Sequence, residues 1–135
     1  MKTPAMVAVI AFACTIGAVP AFAQQTALKD VAHVRDGIIE VGMAYELSEK
    51  CDDLRARIFR GIGFLQSLKS HASELGYSDT EIEDYVNDRA EKKRLEGIAR
   101  ARLTALGVVE GEEATYCAVG RAQIAANTRV GWLLR

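Results

Sequence analysis

The residues on which most catalytic and metal sites are built are scarce in this chain. It has two histidines, three cysteines, two prolines and one tryptophan among 135 residues. It contains no HExxH, CxxC or GxSxG pattern and no glycine-rich loop with phosphate-binding spacing. We therefore expect no enzymatic activity, no cofactor and no metal site, and we assign no catalytic residue.

An excess of charge of one sign is also lacking. The 17 basic and 18 acidic residues leave a formal net charge of −1. A chain so close to neutrality creates no strong electrostatic field around itself. This balance argues against nucleic acid, and against an anionic membrane, as the principal partner.

A hydrophobic run long enough to span a membrane is missing as well. Such a span needs about 20 consecutive apolar residues, whereas Thr15, Gly17 and Pro20 interrupt the apolar N-terminal segment. That segment instead has the parts of a signal peptide: a positive charge at Lys2, an apolar stretch, and an Ala-x-Ala site at 21–23. We expect cleavage near Ala23, export to the periplasm, and a single helical domain over residues 24–135 with no transmembrane segment.

Cys14 admits another interpretation, as the lipidated first residue of a lipoprotein. The three residues before it, Ala11-Phe12-Ala13, lack the usual leucine and place a bulky ring where a small residue is needed. Because a signal peptide cleaved near Ala23 accounts for the same residues, we favour cleavage there.

Two cysteines, Cys51 and Cys117, remain in the exported chain. In an oxidising compartment an even number of cysteines favours disulfide formation, and two allow only one intramolecular pairing. A link across 66 positions stabilises the fold by roughly 4 kcal/mol in chain-entropy terms. We therefore predict one structural disulfide between Cys51 and Cys117.

Apolar residues recur at steps of three and four along the chain, which is typical of amphipathic helices. The first such segment covers residues 31–45 and the second covers residues 54–75. Phe59 and Ile62 widen the apolar stripe of the second segment, so we expect this helix to lie centrally, with neighbours on two sides. No alternating strand pattern of any length is present.

The helix boundaries are marked most clearly between residues 75 and 82. Gly76 suits the left-handed position that follows a helix. Ser78 and Glu81 have the spacing of a capping box, and Tyr77 and Ile82 have that of a hydrophobic staple. These signals predict that one helix ends and the next begins here.

Further helices are predicted in the second half of the chain. The segment 79–106 contains a polar run in which Asp88 and Glu91 resemble a second capping box, so we expect a break or kink near Asn87. Another helix is predicted from about residue 113 to Ala126, with a tail that folds back onto the bundle. The predicted fold class is all-α: a small bundle of four to five helices with one disulfide.

Glycines inside the predicted helices are the first feature that packing or function must explain. Each costs about 1 kcal/mol relative to alanine in a helix interior. Either neighbouring helices approach closely at these positions, which we favour, or a partner does. The six positions are Gly37, Gly42, Gly61, Gly63, Gly97 and Gly120.

Candidate functional side chains are few. His33 and His71 stand near carboxylates on their own helices, but neither has the spacing of a ligand or acid–base pair, so we expect solvated or partly packed histidines. We name Trp132, Leu133 and Leu134 as a candidate partner surface because tryptophan anchors many interfaces. A tryptophan equally often closes a small core.

Three stretches of the chain carry a resemblance to a known family. They are Cys51-Asp52-Asp53-Leu54 and the residues up to Arg60, the joint from Leu75 to Val86, and the segment from Cys117 to Ala125. Together they resemble a family of small exported alphaproteobacterial proteins that is known only as a domain of unknown function. Its members are associated with gene clusters for respiratory NADH:quinone oxidoreductase. The resemblance implies an exported, non-catalytic protein and no catalytic residues.

Together these features lead to a functional expectation. We expect a non-enzymatic periplasmic protein that binds a protein partner, and we favour a partner associated with the membrane. In this interpretation the protein is an accessory or assembly factor of a membrane respiratory complex such as NADH:quinone oxidoreductase. The alternative is a periplasmic stress chaperone or a helical protein that binds a small ligand.

Overall fold

The computed structural model describes residues 24–135, so the predicted signal peptide and Cys14 lie outside the described residues. Within this range the chain is helical, and its one extended contact is an isolated bridge between Ala56 and Leu134. This confirms the all-α prediction. A short 3-10 turn (Leu28–Asp30) precedes α1 (Ala32–Lys50), α2 (Ile58–Glu74), α3 (Asp79–Asn87), α4 (Arg89–Ala105), α5 (Glu113–Ala125) and α6 (Arg129–Trp132).

Helix α1 lies at the centre of the bundle, where it contacts α2, α4, α5 and α6. Ile39 and Leu47 of α1 are almost completely buried, and they belong to the main core with Leu103 of α4 and Leu134. A smaller core lies beneath the 3-10 turn. Its buried members are Leu28, Val34, Ala72, Tyr77 and Ile82.

The joint between α2 and α3 has the predicted chemistry. Gly76 has a φ of 95°, and the Ser78 hydroxyl accepts a hydrogen bond from the Glu81 backbone N–H. The Glu81 carboxylate in turn accepts from the Ser78 backbone N–H at 2.7 Å, which completes the capping box. Tyr77 and Ile82 are both buried, as a hydrophobic staple requires.

The predicted break near Asn87 is also present. Asp88 stands between α3 and α4, and its carboxylate accepts hydrogen bonds from the backbone N–H groups of Ala90 and Glu91. The Glu91 carboxylate pairs with Arg94 at 2.6 and 2.8 Å rather than returning to the cap. Asp88 therefore starts a new helix by itself, without a second capping box.

The predicted disulfide joins the end of α1 to α5. Cys51 follows the last residue of α1, Cys117 lies inside α5, and their Cα atoms are 5.2 Å apart. Both residues are buried in the main core. The bond therefore encloses α2, α3 and α4 in one covalent loop.

The tail folds back onto the bundle, as predicted, and it also determines where α2 begins. The backbone N–H groups of Arg55 and Arg57 donate to the carbonyl oxygens of Arg135 and Leu133, each at 2.8 Å. This extended pairing occupies residues 55–57, so α2 begins at Ile58 rather than near Leu54 as the periodicity predicted.

None of the helices within residues 24–135 has the length and apolar character needed to cross a membrane.

Candidate interaction surface

The outer side of α2 exposes large apolar side chains. Ile58, Phe59, Ile62 and Leu65 are 61%, 90%, 52% and 38% exposed. Spacings of three and four residues place them along one side of the first two turns. We call these four residues the α2 face.

The exposed α2 face corrects the prediction that this helix lies centrally. Residues 24–135 bury only one side of α2, through Phe64, Leu68 and Ala72, and the main neighbour of this helix is α1. Phe59 and Ile62, which suggested a second neighbouring element, point to solvent instead. The apolar stripe of α2 is wider than the part of this helix that the rest of the described chain covers.

Two glycines of α2 have no packing neighbour in the described part of the chain. A Cβ atom added at Gly61 or Gly63 would meet no atom of residues 24–135 within 4 Å. At Gly37 of α1, in contrast, it would come within 2.8 Å of the Leu68 side chain, and at Gly120 it would overlap Leu54. Close packing therefore explains Gly37 and Gly120, whereas no packing contact among residues 24–135 accounts for Gly61, Gly63 and Gly97.

Four arginines cluster at the start of α2. We call Arg55, Arg57, Arg60 and Arg129 the arginine cluster. Three of them donate to backbone carbonyl oxygens, for example Arg57 to Leu134 at 2.8 Å. No carboxylate among residues 24–135 lies within ion-pair distance of any of the four.

Trp132 connects the arginine cluster to the body of the protein. The guanidinium carbons of Arg60 and Arg129 lie 5.1 and 5.2 Å from the centre of its ring system. The edge-on contact between Trp132 and Phe64, with ring centres 6.4 Å apart, fixes the ring against α2. Trp132 is half-buried and so holds arginines in place instead of projecting from the surface.

Leu133 and Leu134 do not belong to an exposed surface. Both are buried in the main core. Their side chains complete the core beneath the disulfide, so a partner cannot reach them in the folded protein. Of the three residues predicted as a partner surface, Trp132 is half-buried beside α2, and Leu133 and Leu134 are not exposed.

Glu40 lies near the arginine cluster and is half-buried on α1. Burial raises the pKa of its carboxyl group above the ordinary value, while the nearby guanidinium of Arg129 acts in the opposite direction. The charged form of this side chain is therefore disfavoured by its surroundings.

Replacing Glu40 by glutamine should increase the free energy of unfolding at neutral pH. A carboxyl group with a raised pKa in the folded state stabilises the fold below its ordinary titration range, near pH 4, and loses that contribution as the pH rises. The advantage of Glu40→Gln should therefore be larger at pH 7 than at pH 4. Urea unfolding at both pH values measures the stability gained by the variant. An equal gain at the two values would contradict a raised pKa for Glu40 in the folded state.

The two histidines, expected to be solvated or partly packed, meet across the α1–α2 contact. The ring centres of His33 and His71 are 4.7 Å apart, with an angle of 75° between the ring planes. The periodicity of each helix places its histidine on a face but does not show that the two faces meet.

One group of three potential metal ligands occurs within residues 24–135: Cys51, Glu113 and Cys117. Both cysteines are consumed by the disulfide, so neither offers a thiolate. The Glu113 carboxylate accepts a hydrogen bond from the backbone N–H of Asp52 at 3.0 Å. This group stabilises the junction of α1 and α5 and needs no metal.

Comparison with known proteins identifies one relationship. A family of unknown function, DUF5333, matches residues 26–135. Neither the curated proteins nor the solved structures include a match to the chain. Because the matched region includes every helix described above, the chain belongs to this family of unknown function.

Proposed function

We propose that this protein is an exported, non-enzymatic accessory protein that docks onto a protein partner at the membrane through the α2 face. The observation that carries the proposal is the exposure of Ile58, Phe59 and Ile62 on a helix whose opposite side is fully packed. Exposed apolar groups in one continuous patch commonly mark protein–protein contacts.

The compartment in this proposal is the periplasm. The N-terminal signal-peptide pattern supports export with cleavage near Ala23. The Cys51–Cys117 disulfide supports an oxidising environment. The resemblance described above supports a membrane respiratory complex, such as NADH:quinone oxidoreductase, as the assembly that this protein serves.

The arginine cluster supports a partner that has acidic groups. Arg57 and Arg60 adjoin the α2 face, and no carboxylate of residues 24–135 pairs with them. A complementary surface would have an apolar centre with carboxylates along one edge. A second copy of this chain fits poorly, because two-fold pairing through the α2 face would bring the two arginine clusters close together.

The open glycines support the same surface. Gly61 and Gly63 weaken an exposed helix without any contact within the described chain to explain them. A partner whose backbone approaches α2 closely would require small residues at these positions.

Substitutions on the α2 face should abolish docking without unfolding the protein. We expect the double variant Phe59→Ser and Ile62→Ser to lose at least about tenfold in affinity for native membranes, since central apolar anchors dominate binding energy. Val86→Ser is the matched control, because Val86 is an aliphatic residue of α3 with 56% exposure, close to that of Ile62. Crosslinking and co-sedimentation with intact membranes measure the difference.

Two results of this experiment would contradict the proposal. The first is equal retention of the α2 double variant and the wild type. The second is recovery of free monomer alone from intact membranes. Capture of many unrelated unfolded proteins, in place of one membrane partner, would favour the stress-chaperone alternative, for which the exposed apolar groups of α2 are equally suited.

A further inference from the structure

The contact between His33 and His71 has the dimensions of a metal site. In a tetrahedral site imidazole nitrogens bind Zn²⁺ at about 2.0–2.1 Å, and two imidazoles on one ion then have ring centres roughly 5 Å apart. The observed separation is 4.7 Å, and the steep angle between the rings is compatible with two ligands of one ion. Binding one ion would require the two side chains to turn one nitrogen of each ring toward a common point.

The packing of α1 against α2 holds the two histidines in register. Gly37, one turn after His33, allows the Leu68 side chain to approach the α1 backbone. Leu68 is one turn before His71, and both Leu68 and Ala72 are buried. Well-packed helices fix both backbones. Binding one ion then requires ordering of the two imidazole side chains but not of the backbone, which lowers the entropy cost of binding.

The surroundings allow access by a cation. His33 is exposed and His71 is half-buried, so an ion can reach the pair from solvent. Glu40, nearly two turns after His33, lies near enough to interact with it electrostatically. No third histidine, cysteine or carboxylate joins the pair in a ligand cluster among residues 24–135.

We propose that His33 and His71 together bind one divalent transition-metal ion, with water completing the coordination. Neutral imidazole suits Zn²⁺, Ni²⁺ and Cu²⁺, and affinities for nitrogen ligands generally rise toward Cu²⁺. The site would therefore bind Cu²⁺ most tightly, Ni²⁺ and Zn²⁺ more weakly, and Mg²⁺ not measurably. An ion bound here would also link α1 to α2 near the C-terminal end of α2.

Metal titration of the exported chain, purified without a histidine tag, tests the proposal. Calorimetry with CuSO₄ and with ZnCl₂ should show one ion per chain, and His33→Ala or His71→Ala should weaken binding at least about tenfold. The second ligand binds intramolecularly at a high effective concentration, so losing either one removes that advantage. Glu74→Gln, a change one turn from His71 that removes a carboxylate, is the control and should bind like wild type.

A spectroscopic measurement keeps the test independent of folding in the variants. Electron paramagnetic resonance of the wild-type protein with one equivalent of Cu²⁺ should show two coupled nitrogen ligands. The unfolding midpoint should also rise with added Zn²⁺ in the wild type, because a ligand that binds only the folded state stabilises it. Coupling to fewer than two nitrogens, or equal affinity in wild type and either histidine variant, would overturn the proposal.

Discussion

Gly131→Ala is expected to destabilise the fold by about 3 kcal/mol or more. Gly131 is buried in α6, and a Cβ atom there would overlap the backbone carbonyl group of Gln123 in α5. A backbone group cannot rotate away as a side chain can, so α6 would have to separate from α5. Overpacking of this kind commonly costs about 1–3 kcal/mol, and more where the backbone must move.

The consequences of this substitution extend to the α2 face. Helix α6 carries Trp132 and leads into the segment whose backbone pairs with Arg55 and Arg57. Displacement of α6 would therefore loosen the arginine cluster and the start of α2 together. A separated α6 should also expose Trp132 more fully to solvent.

Thermal unfolding followed by circular dichroism measures the effect. A drop in midpoint of roughly 10 °C or more is expected for a loss of this size in a helical domain of about 110 residues. Gly63→Ala is the matched control: its Cβ meets no atom of the described residues within 4 Å, so alanine should raise stability by up to about 1 kcal/mol. A Gly131→Ala protein as stable as the Gly63→Ala protein would contradict the packing described for α5 and α6.

Removal of the disulfide is the second change with a large expected effect. Cys51 and Cys117 are 66 positions apart, so the bond restricts a long loop of the unfolded chain. Its loss should lower the free energy of unfolding by up to about 4 kcal/mol, and the unfolding midpoint by roughly 15 °C. The helical content should survive at low temperature, because the main core does not depend on the bond alone.

Two forms of the protein separate the covalent link from the packing of its side chains. Wild type treated with a reductant loses the bond but keeps both sulfur atoms, and the double variant Cys51→Ala and Cys117→Ala loses both. Both forms should unfold at lower temperature, the variant at the lowest because it also leaves a small cavity. An unchanged midpoint in reduced wild type, with both thiols shown to be free, would refute a stabilising role for the bond.

Several of the features predicted correctly from the sequence are determined by neighbouring residues. The capping box of Ser78 and Glu81 involves residues three apart, and the break at Asp88 depends on its own carboxylate. The disulfide was also predictable, because two cysteines allow only one intramolecular pairing. None of these predictions required knowledge of how the helices are arranged.

The position of α2 was not predictable in the same way. An apolar stripe shows which side chains are apolar, but it does not show whether another element covers them. The stripe on α2 is wide enough for two neighbours, yet α1 uses its remaining sides for α4, α5 and α6. Phe59 and Ile62 are left without a neighbour among the described residues, and this surplus is the main evidence for a partner.

Two further features depend on long-range contacts. The arginine cluster combines residues 55–60 with Arg129, which are brought together only when the tail folds back. His33 and His71 meet only because Gly37 and Leu68 fix how α1 and α2 pack. The composition gives no sign of either feature, since the chain as a whole is close to neutral.

Site-specific photocrosslinking in intact cells tests the central claim most directly. A photoreactive amino acid would replace Phe59 or Ile62 on the α2 face, with Val86 of α3, about as exposed as Ile62, as the control. We predict that positions 59 and 62 both crosslink to the same membrane protein and that position 86 does not. Equal crosslinking at all three positions, or none at 59 and 62, would contradict the claim that α2 is the docking surface.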